Sequence, residues 1–363
     1  MLDDRMLLDG TPETEIVISS RPSTSMTPRV LAATPRFPTV DWTTFLAASW
    51  ARGGHLQTIL GSYIPHPLRG APTVDHLAPT THGDHLVLFD SCPPQWKLGD
   101  RLVLLAHGLG GCANSPYVRR MAGRLYQKGI RAIRLNLRGA GVGFAHAKQV
   151  GHAGRSEDIA AALQFVVEQA PDSPIAAVGY SMGGNLLLKH FGELGETHPQ
   201  VDRVLAVAPP IDLITCMKNM LFRDGWVYDR PFVKTLTKFA KRRERELKGA
   251  PHRPLPRHVK KLMDFDDHYT APLSGFKDAL EYYEYASSKR LIDKIRVPTT
   301  IVAADDDPLI PPDIFQEIAN KQFVEVFITR SGGHLGYLSR NSTDPDRRWL
   351  DWRILDWVNA PLG

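Results

Sequence analysis

Cysteine, long apolar runs and net charge are all scarce in this chain, and each shortage excludes a class of protein. The three cysteines among 363 residues, Cys92, Cys112 and Cys216, are scattered, odd in number and without a CxxC pair. That usage excludes a disulfide framework and a zinc site, and it predicts reduced thiols in a cytoplasmic protein. No stretch reaches the roughly 18–20 apolar residues a helix needs to cross a bilayer, so no transmembrane segment is expected. The start, MLDDRMLLDG, carries acids where a secretory leader carries cations. Net charge is only +5, and the excess is local: residues 218–261 hold 14 Lys or Arg against Asp224, Asp229, Glu244 and Glu246. This run lacks a docking motif, so no nucleic-acid partner is expected. It reads as a solvated face, or as a weak contact with anionic lipid.

What is present is ordinary globular composition, 43% hydrophobic and 23% charged residues, which excludes fibrous and wholly disordered chains. Residues 1–40, rich in Ser, Thr and Pro, predict a mobile N-terminal tail, with Met26 as an alternative start. Residues 41–363 then form one domain. Short apolar runs at 85–90, 101–107, 131–137, 175–181, 203–209, 299–305 and 323–329 read as strands. Helical stretches fall between most of them: 116–129 with Pro near its start and Gly at its end, one opening at Ser156-Glu157-Asp158, and one beginning at Met182. A last helix is expected at 346–358. The alternation predicts an α/β fold, a mostly parallel sheet covered on both faces.

One segment, about 210–275, breaks the rhythm. It is basic, carries Trp226, Tyr228, Phe232 and Phe239, and has prolines at 251, 254 and 256. It predicts a helical insertion, either packing on the sheet or forming a lid at the carboxyl ends of the strands.

The chemistry centres on Gly179-Tyr180-Ser181-Met182-Gly183. GxSxG is common by chance, but here it stands where an apolar strand ends and a helix begins, the setting of a nucleophile elbow. A serine hydroxyl needs a base within hydrogen-bond reach. Of the 14 histidines, His334 in SGGHLGY follows the last predicted strand and so emerges at the same sheet edge. His190, on the helix after the elbow, reads as structural. The acid belongs in ADDDP, with Asp307 the candidate and Asp306 the runner-up; such a carboxylate fixes the imidazole tautomer and stabilises the imidazolium. The oxyanion of a tetrahedral intermediate needs two N–H donors: Met182 at the helix start, and Leu109 in the glycine loop HGLGG (107–111). His146 and His152 match no metal-ligand spacing, so no metal site is expected.

With HLQTIL (55–60), HGLGG, NLRGAGVG (136–143), HAGRSEDI (152–159), GYSMGGN (179–185), FDDHYTAPLSGFKDALEYY (265–283) and SGGHLGY in place, the chain resembles the YheT-like branch of the α/β-hydrolases from about residue 50 to 340. That branch also holds eukaryotic relatives acting on acylglycerols and phospholipids. The resemblance implies the α/β-hydrolase fold, a charge relay of Ser181, Asp307 and His334, and hydrolysis of a small-molecule or lipid-like carboxylic ester without metal or organic cofactor. The third aspartate of ADDDP departs from its pattern, in which two precede the proline. A transacylase or thioesterase on the same residues, and a catalytically silent binding protein, are the alternatives.

Overall fold

Successive residues of the central strands enter two different cores, which is why they read as unbroken apolar runs. In the computed structural model, described for residues 35–362 apart from 65–69, 82, 223–224, 320 and 341–342, eight strands form one sheet. They are β1 (Val74–Pro79), β2 (His85–Ser91), β3 (Leu102–Ala106), β4 (Arg131–Asn136), β5 (Ile175–Tyr180), β6 (Val201–Val207), β7 (Thr299–Ala304) and β8 (Val324–Thr329). Their order is β1-β2-β4-β3-β5-β6-β7-β8. β1, β2 and β4 pair antiparallel, and every pairing from β4 through β8 is parallel.

The period-2 geometry of a strand sends alternate side chains to opposite faces. Leu102 and Leu104 of β3, Ala177 of β5 and Ile301 of β7 enter one core; Val103 and Leu105, Val178 and Val302 enter the other. The first core is covered by α3 (Glu157–Gln169) and α4 (Met182–Leu194), through residues such as Ile159, Val166, Leu187 and Phe191. The second is covered by α2 (Pro116–Gln127) and α9 (Trp349–Asn359), with Trp42 and Phe45 added from the N-terminal side. The sheet is thus doubly covered, as the alternation predicts. The Arg120 and Arg124 guanidiniums on α2 meet the buried Asp351 carboxylate on α9, tying those two helices together.

β1 is absent from the strands expected from the sequence. It is an antiparallel edge strand in which only Ala78 is buried, so it carries no apolar alternation to read. Of the expected tail, residues 1–34 lie outside the described residues. Pro38 makes an antiparallel bridge to Leu362, and Val40 packs against the second core.

Between β6 and β7 stands the helical excursion. It holds α5 (Leu213–Phe222), the 21-residue α6 (Trp226–Glu246), α7 and α8 (Ala279–Ala286). α7 opens at Leu262–Phe265, widens into one π turn at Asp266–Thr270 and closes at Ala271–Leu273. One further helix, α1 (Gly54–Tyr63), precedes the sheet. Among the described residues no helix is long and apolar enough to cross a membrane.

Candidate active site

The candidate residues all lie just past carboxyl ends of parallel strands, where this class of sheet places its ligands. Ser181 follows β5 directly and adopts φ 52°, ψ −121°, a conformation that strains any residue with a Cβ. Its N–H continues the ladder to Val207 O at 2.8 Å, and its carbonyl receives the Asn185 N–H that begins α4. The turn is so tight that only glycine fits beside it: a Cβ on Gly179 would lie 2.5 Å from Gly183 O, and one on Gly183 2.6 Å from the Ala106 and His107 carbonyl oxygens.

His334, in the loop after β8, places Nε2 2.9 Å from Ser181 Oγ and Nδ1 2.9 Å from Asp307 Oδ2. The three adjacent aspartates after β7 therefore have different surroundings. Asp307, its side chain fully buried, accepts the Leu309 and Ile310 N–H groups on Oδ1 at 2.8 and 3.1 Å, leaving Oδ2 to the imidazole. Asp306 accepts the Gly333 N–H at 2.8 Å, so it holds the histidine loop rather than the histidine ring. Asp305 is exposed.

The glycine loop after β3 is fixed by its own histidine. Leu137 N–H donates to His107 Nε2 at 3.2 Å, so the ring proton sits on Nδ1 and is donated to Gly108 O at 2.8 Å. Burial pulls the His107 pKa down to about 4, keeping that tautomer neutral. Gly108 N–H is spent on Tyr117 Oη at 2.9 Å, whose pKa burial pushes up to about 12. The next N–H, Leu109, and that of Met182 donate no hydrogen bond among the described residues. Both residues line the same cavity as Ser181.

A family model of the alpha/beta hydrolase fold matches residues 101–340. "Putative esterase YheT" of Escherichia coli is 30% identical over 312 residues, 85% of this chain and 91% of that protein. The chain belongs to the YheT-like family of α/β-hydrolases. Medium-chain fatty acid ethyl ester synthase/esterase 2 of Saccharomyces cerevisiae is 31% identical over 66% of this chain and 59% of its own length. The Pyrococcus furiosus esterase Pf2001 superposes with a TM-score of 0.53 at 14% identity, covering 82% of this chain and 99% of that one; this likeness speaks for the fold alone.

Several residues that hold this α/β-hydrolase site together were given no role from sequence. Thr58 and Gln57, inside the HLQTIL match, support the histidine loop: Thr58 Oγ1 accepts His334 N–H at 2.8 Å. The fully buried Gln57 exchanges hydrogen bonds with the backbone of Leu338. Asn185 of GYSMGGN reaches the Ala153 and Ala286 carbonyls from α4, and Arg138 bridges the buried Asp84 and Asp158. Their signal was membership of a matching motif, with nothing in the local pattern to say what each would touch.

Among the described residues no other histidine hydrogen-bonds Ser181, although His152 lines the same cavity. His190 packs edge-on against Phe191. His146 is exposed, while His152 accepts the Gly154 N–H and lies edge-on to Tyr282 and Phe276. Among the described residues no group of three or more His, Cys, Asp or Glu is arranged to hold a metal ion.

Ser181 and His334 line one largely apolar cavity together with Met217, Met220, Phe232 and Leu236 of α5 and α6, and with Asp266 of the π turn. A second cavity lies past Leu109 and Met182, walled by Phe144, Phe239 and Arg242 among others. Three of the four aromatics singled out in the basic segment thus have assigned surroundings, since Tyr228 also hydrogen-bonds His55 Nδ1 at 3.1 Å. Trp226 is exposed.

Proposed function

We propose that this chain is a serine hydrolase of carboxylic esters that works through an acyl-enzyme. The observation that carries the reading is the continuous relay from Asp307 Oδ2 through the His334 ring to Ser181 Oγ, 2.9 Å at each link. Ser181 Oγ attacks the acyl carbon while His334 Nε2 takes its proton. The oxyanion that forms is held by the Leu109 and Met182 N–H groups, each such donor contributing roughly 3–4 kcal/mol to the transition state. The tetrahedral intermediate collapses by breaking the C–O bond, and His334 returns the proton to the departing alcohol. Water then adds to the acyl-enzyme by the same steps and releases the carboxylic acid. Asp307 keeps Nδ1 protonated and stabilises the imidazolium in both halves.

The relatives' names support ester chemistry of this breadth, one being an ethyl ester synthase/esterase and another, the mouse monoacylglycerol lipase ABHD2, 25% identical over 86% of this chain. An alcohol in place of water makes the same acyl-enzyme a transacylase. Product analysis with added ethanol separates the two outcomes. The decisive experiment is labelling with a fluorophosphonate probe alongside an acyl-length series of chromogenic esters. Labelling and turnover are expected in the wild type and absent in Ser181→Ala; folded wild type that neither labels nor turns over any ester would favour a silent binding protein.

The excursion from α5 to α7 is read as the lid of this site, because α5 and α6 supply apolar walls of the cavity holding Ser181. An open groove on it is lined by Arg230, Lys234, Lys238, Lys241 and Lys260. This cationic surface suits an ester with an anionic portion, or weak contact with anionic lipid.

A further inference from the structure

The cavity shared by Ser181 and His334 has one carboxylate in its wall, Asp266. Neighbouring acids are used differently. Asp229, Asp264, Asp267 and Asp278 accept the backbone N–H groups of Leu262, Lys261, Ala279 and Glu281, at 2.7, 3.3, 3.1 and 2.9 Å. Each therefore caps a helical turn. Asp266 caps nothing. It begins the π turn of α7, an irregularity often found at functional sites, and it is only 7% exposed.

Its partners are hydroxyls. Tyr283 donates to Oδ2 at 2.8 Å, the Thr270 side chain is a second donor, and the other charged group felt there is the Asp229 carboxylate. Asp266 forms no ion pair among the described residues. A carboxylate has about four lone-pair sites, so two hydroxyls leave it able to accept more. Desolvation without a cation is costly, and it pushes the Asp266 pKa up to about 6. A structural role in an apolar wall needs no such group. A substrate that brings a hydrogen-bond donor does.

We infer that Asp266 is the polar anchor of the substrate cavity, selecting esters that present a hydroxyl group to it. An ammonium is the other donor class, but it would require a second full charge to leave water, whereas a hydroxyl gives up much less. The inference rests on the ester-hydrolase reading above. It adds that the cavity is not a plain acyl pocket: the ester part lodged there carries its hydroxyl at a distance set by the span from Ser181 to Asp266.

The test compares kcat/KM for matched pairs of esters. One series pairs nitrophenyl alkanoates with their ω-hydroxy counterparts over a range of chain lengths. The other pairs glycerol monoesters with propyl esters, which moves the hydroxyl to the alcohol side. Amine-bearing esters of the same lengths form a third arm. In one of the two paired series the wild type is expected to favour the hydroxyl-bearing ester by about 10- to 100-fold, the worth of a hydrogen bond to a charged group. The preference is expected to fall about tenfold in Asp266→Asn, whose acceptor is neutral. It should vanish in the double variant Asp266→Leu, Tyr283→Phe, which removes the tyrosine donor together with its acceptor and so keeps the comparison open if Asp266→Asn fails to fold.

Equal turnover of both members of every pair by the wild type overturns the inference. So does a preference that survives in the double variant, or a larger preference for the amine-bearing ester. These outcomes are distinct from failure of the ester-hydrolase reading, in which no ester is turned over and Ser181 does not label.

Discussion

The Thr58 hydroxyl accepts the His334 backbone N–H at 2.8 Å and donates its own proton to Gly54 O at 2.7 Å. It joins the first turns of α1 to the loop after β8, across 276 positions of sequence. Asp306 holds the same loop from the other side through Gly333 N–H. The imidazole is thus aimed by contacts to the backbone at and just before it, as well as by Asp307.

Replacing Thr58 by Val keeps the shape but leaves the His334 N–H without its acceptor, a loss of about 1–3 kcal/mol for a buried donor. The strain falls on the loop that aims the ring, so kcat is expected to drop about 10- to 100-fold while KM moves little. Thr58→Ser, which keeps the hydroxyl, should recover most of the rate. Steady-state kinetics on one chromogenic ester decides it: equal rates for Val and wild type would remove Thr58 from the site.

Asp306 and Asp307 are adjacent yet differ in what they touch, and their amides should differ accordingly. Asp307→Asn replaces the acceptor of the Nδ1 proton with a group that can donate there, favouring the wrong tautomer; a fall in kcat on the order of 10⁴ is expected. Asp306→Asn retains an oxygen for Gly333 N–H and should cost about tenfold or less. The reverse order, with Asp306 the more damaging, would reassign the acid of the relay.

Why the sequence showed the parallel sheet and singled out Ser181 and His334 as candidates, but not Thr58 or Asp266, follows from the range of the forces involved. The doubly buried strands appear as unbroken apolar runs because both faces are covered, and the elbow is a local turn whose steric demand falls on Gly179 and Gly183. β1 escaped because it is a solvent-facing edge. The choice of Asp307 over Asp306 was open because it depends on which carboxylate reaches a ring 27 residues away. Asp266 lay within a matching motif, but nothing in FDDHYT distinguishes a helix-capping Asp267 from an Asp266 that lines a cavity. Only the packing of α7 against α8 separates them.

Buried titratable groups give the fold an acid response whose sign can be worked out residue by residue. Unfolded, His107 takes a proton as pH falls through about 6.5; folded, only near about 4. The unfolded state therefore holds more protons between those values. Stability is full above about 6.5 and is lost as pH falls toward 4, by about 3 kcal/mol from this residue. Asp266 acts in the opposite sense. Its carboxyl, held at about 6 when folded against about 3.9 unfolded, contributes stability that is present below about 3.9 and lost as pH rises through 6. Urea titrations between pH 4 and 7 should show Asp266→Asn losing stability on acidification more steeply than wild type. His107→Gln should lose it less steeply, and parallel slopes for all three proteins would contradict both assignments.

The cationic groove on α6 yields a prediction about substrate charge, separable from one about folding because its residues differ from those that anchor the helix. Arg243 is buried and donates to Ala147 O at 3.2 Å and Lys148 O at 2.5 Å; it holds α6 in place and is left untouched. Lys234, Lys238 and Lys241 line the open groove instead, where their field acts through solvent and is screened within about 8–10 Å at ordinary ionic strength. Changing all three to Glu should leave turnover of neutral esters within about twofold, as expected for exposed charges. Turnover of phospholipid-like anionic esters should fall several-fold more at low salt, with the difference shrinking as salt is raised. If the triple variant hydrolyses anionic and neutral esters at unchanged relative rates across the salt range, the groove is a solvated face and plays no part in choosing the substrate.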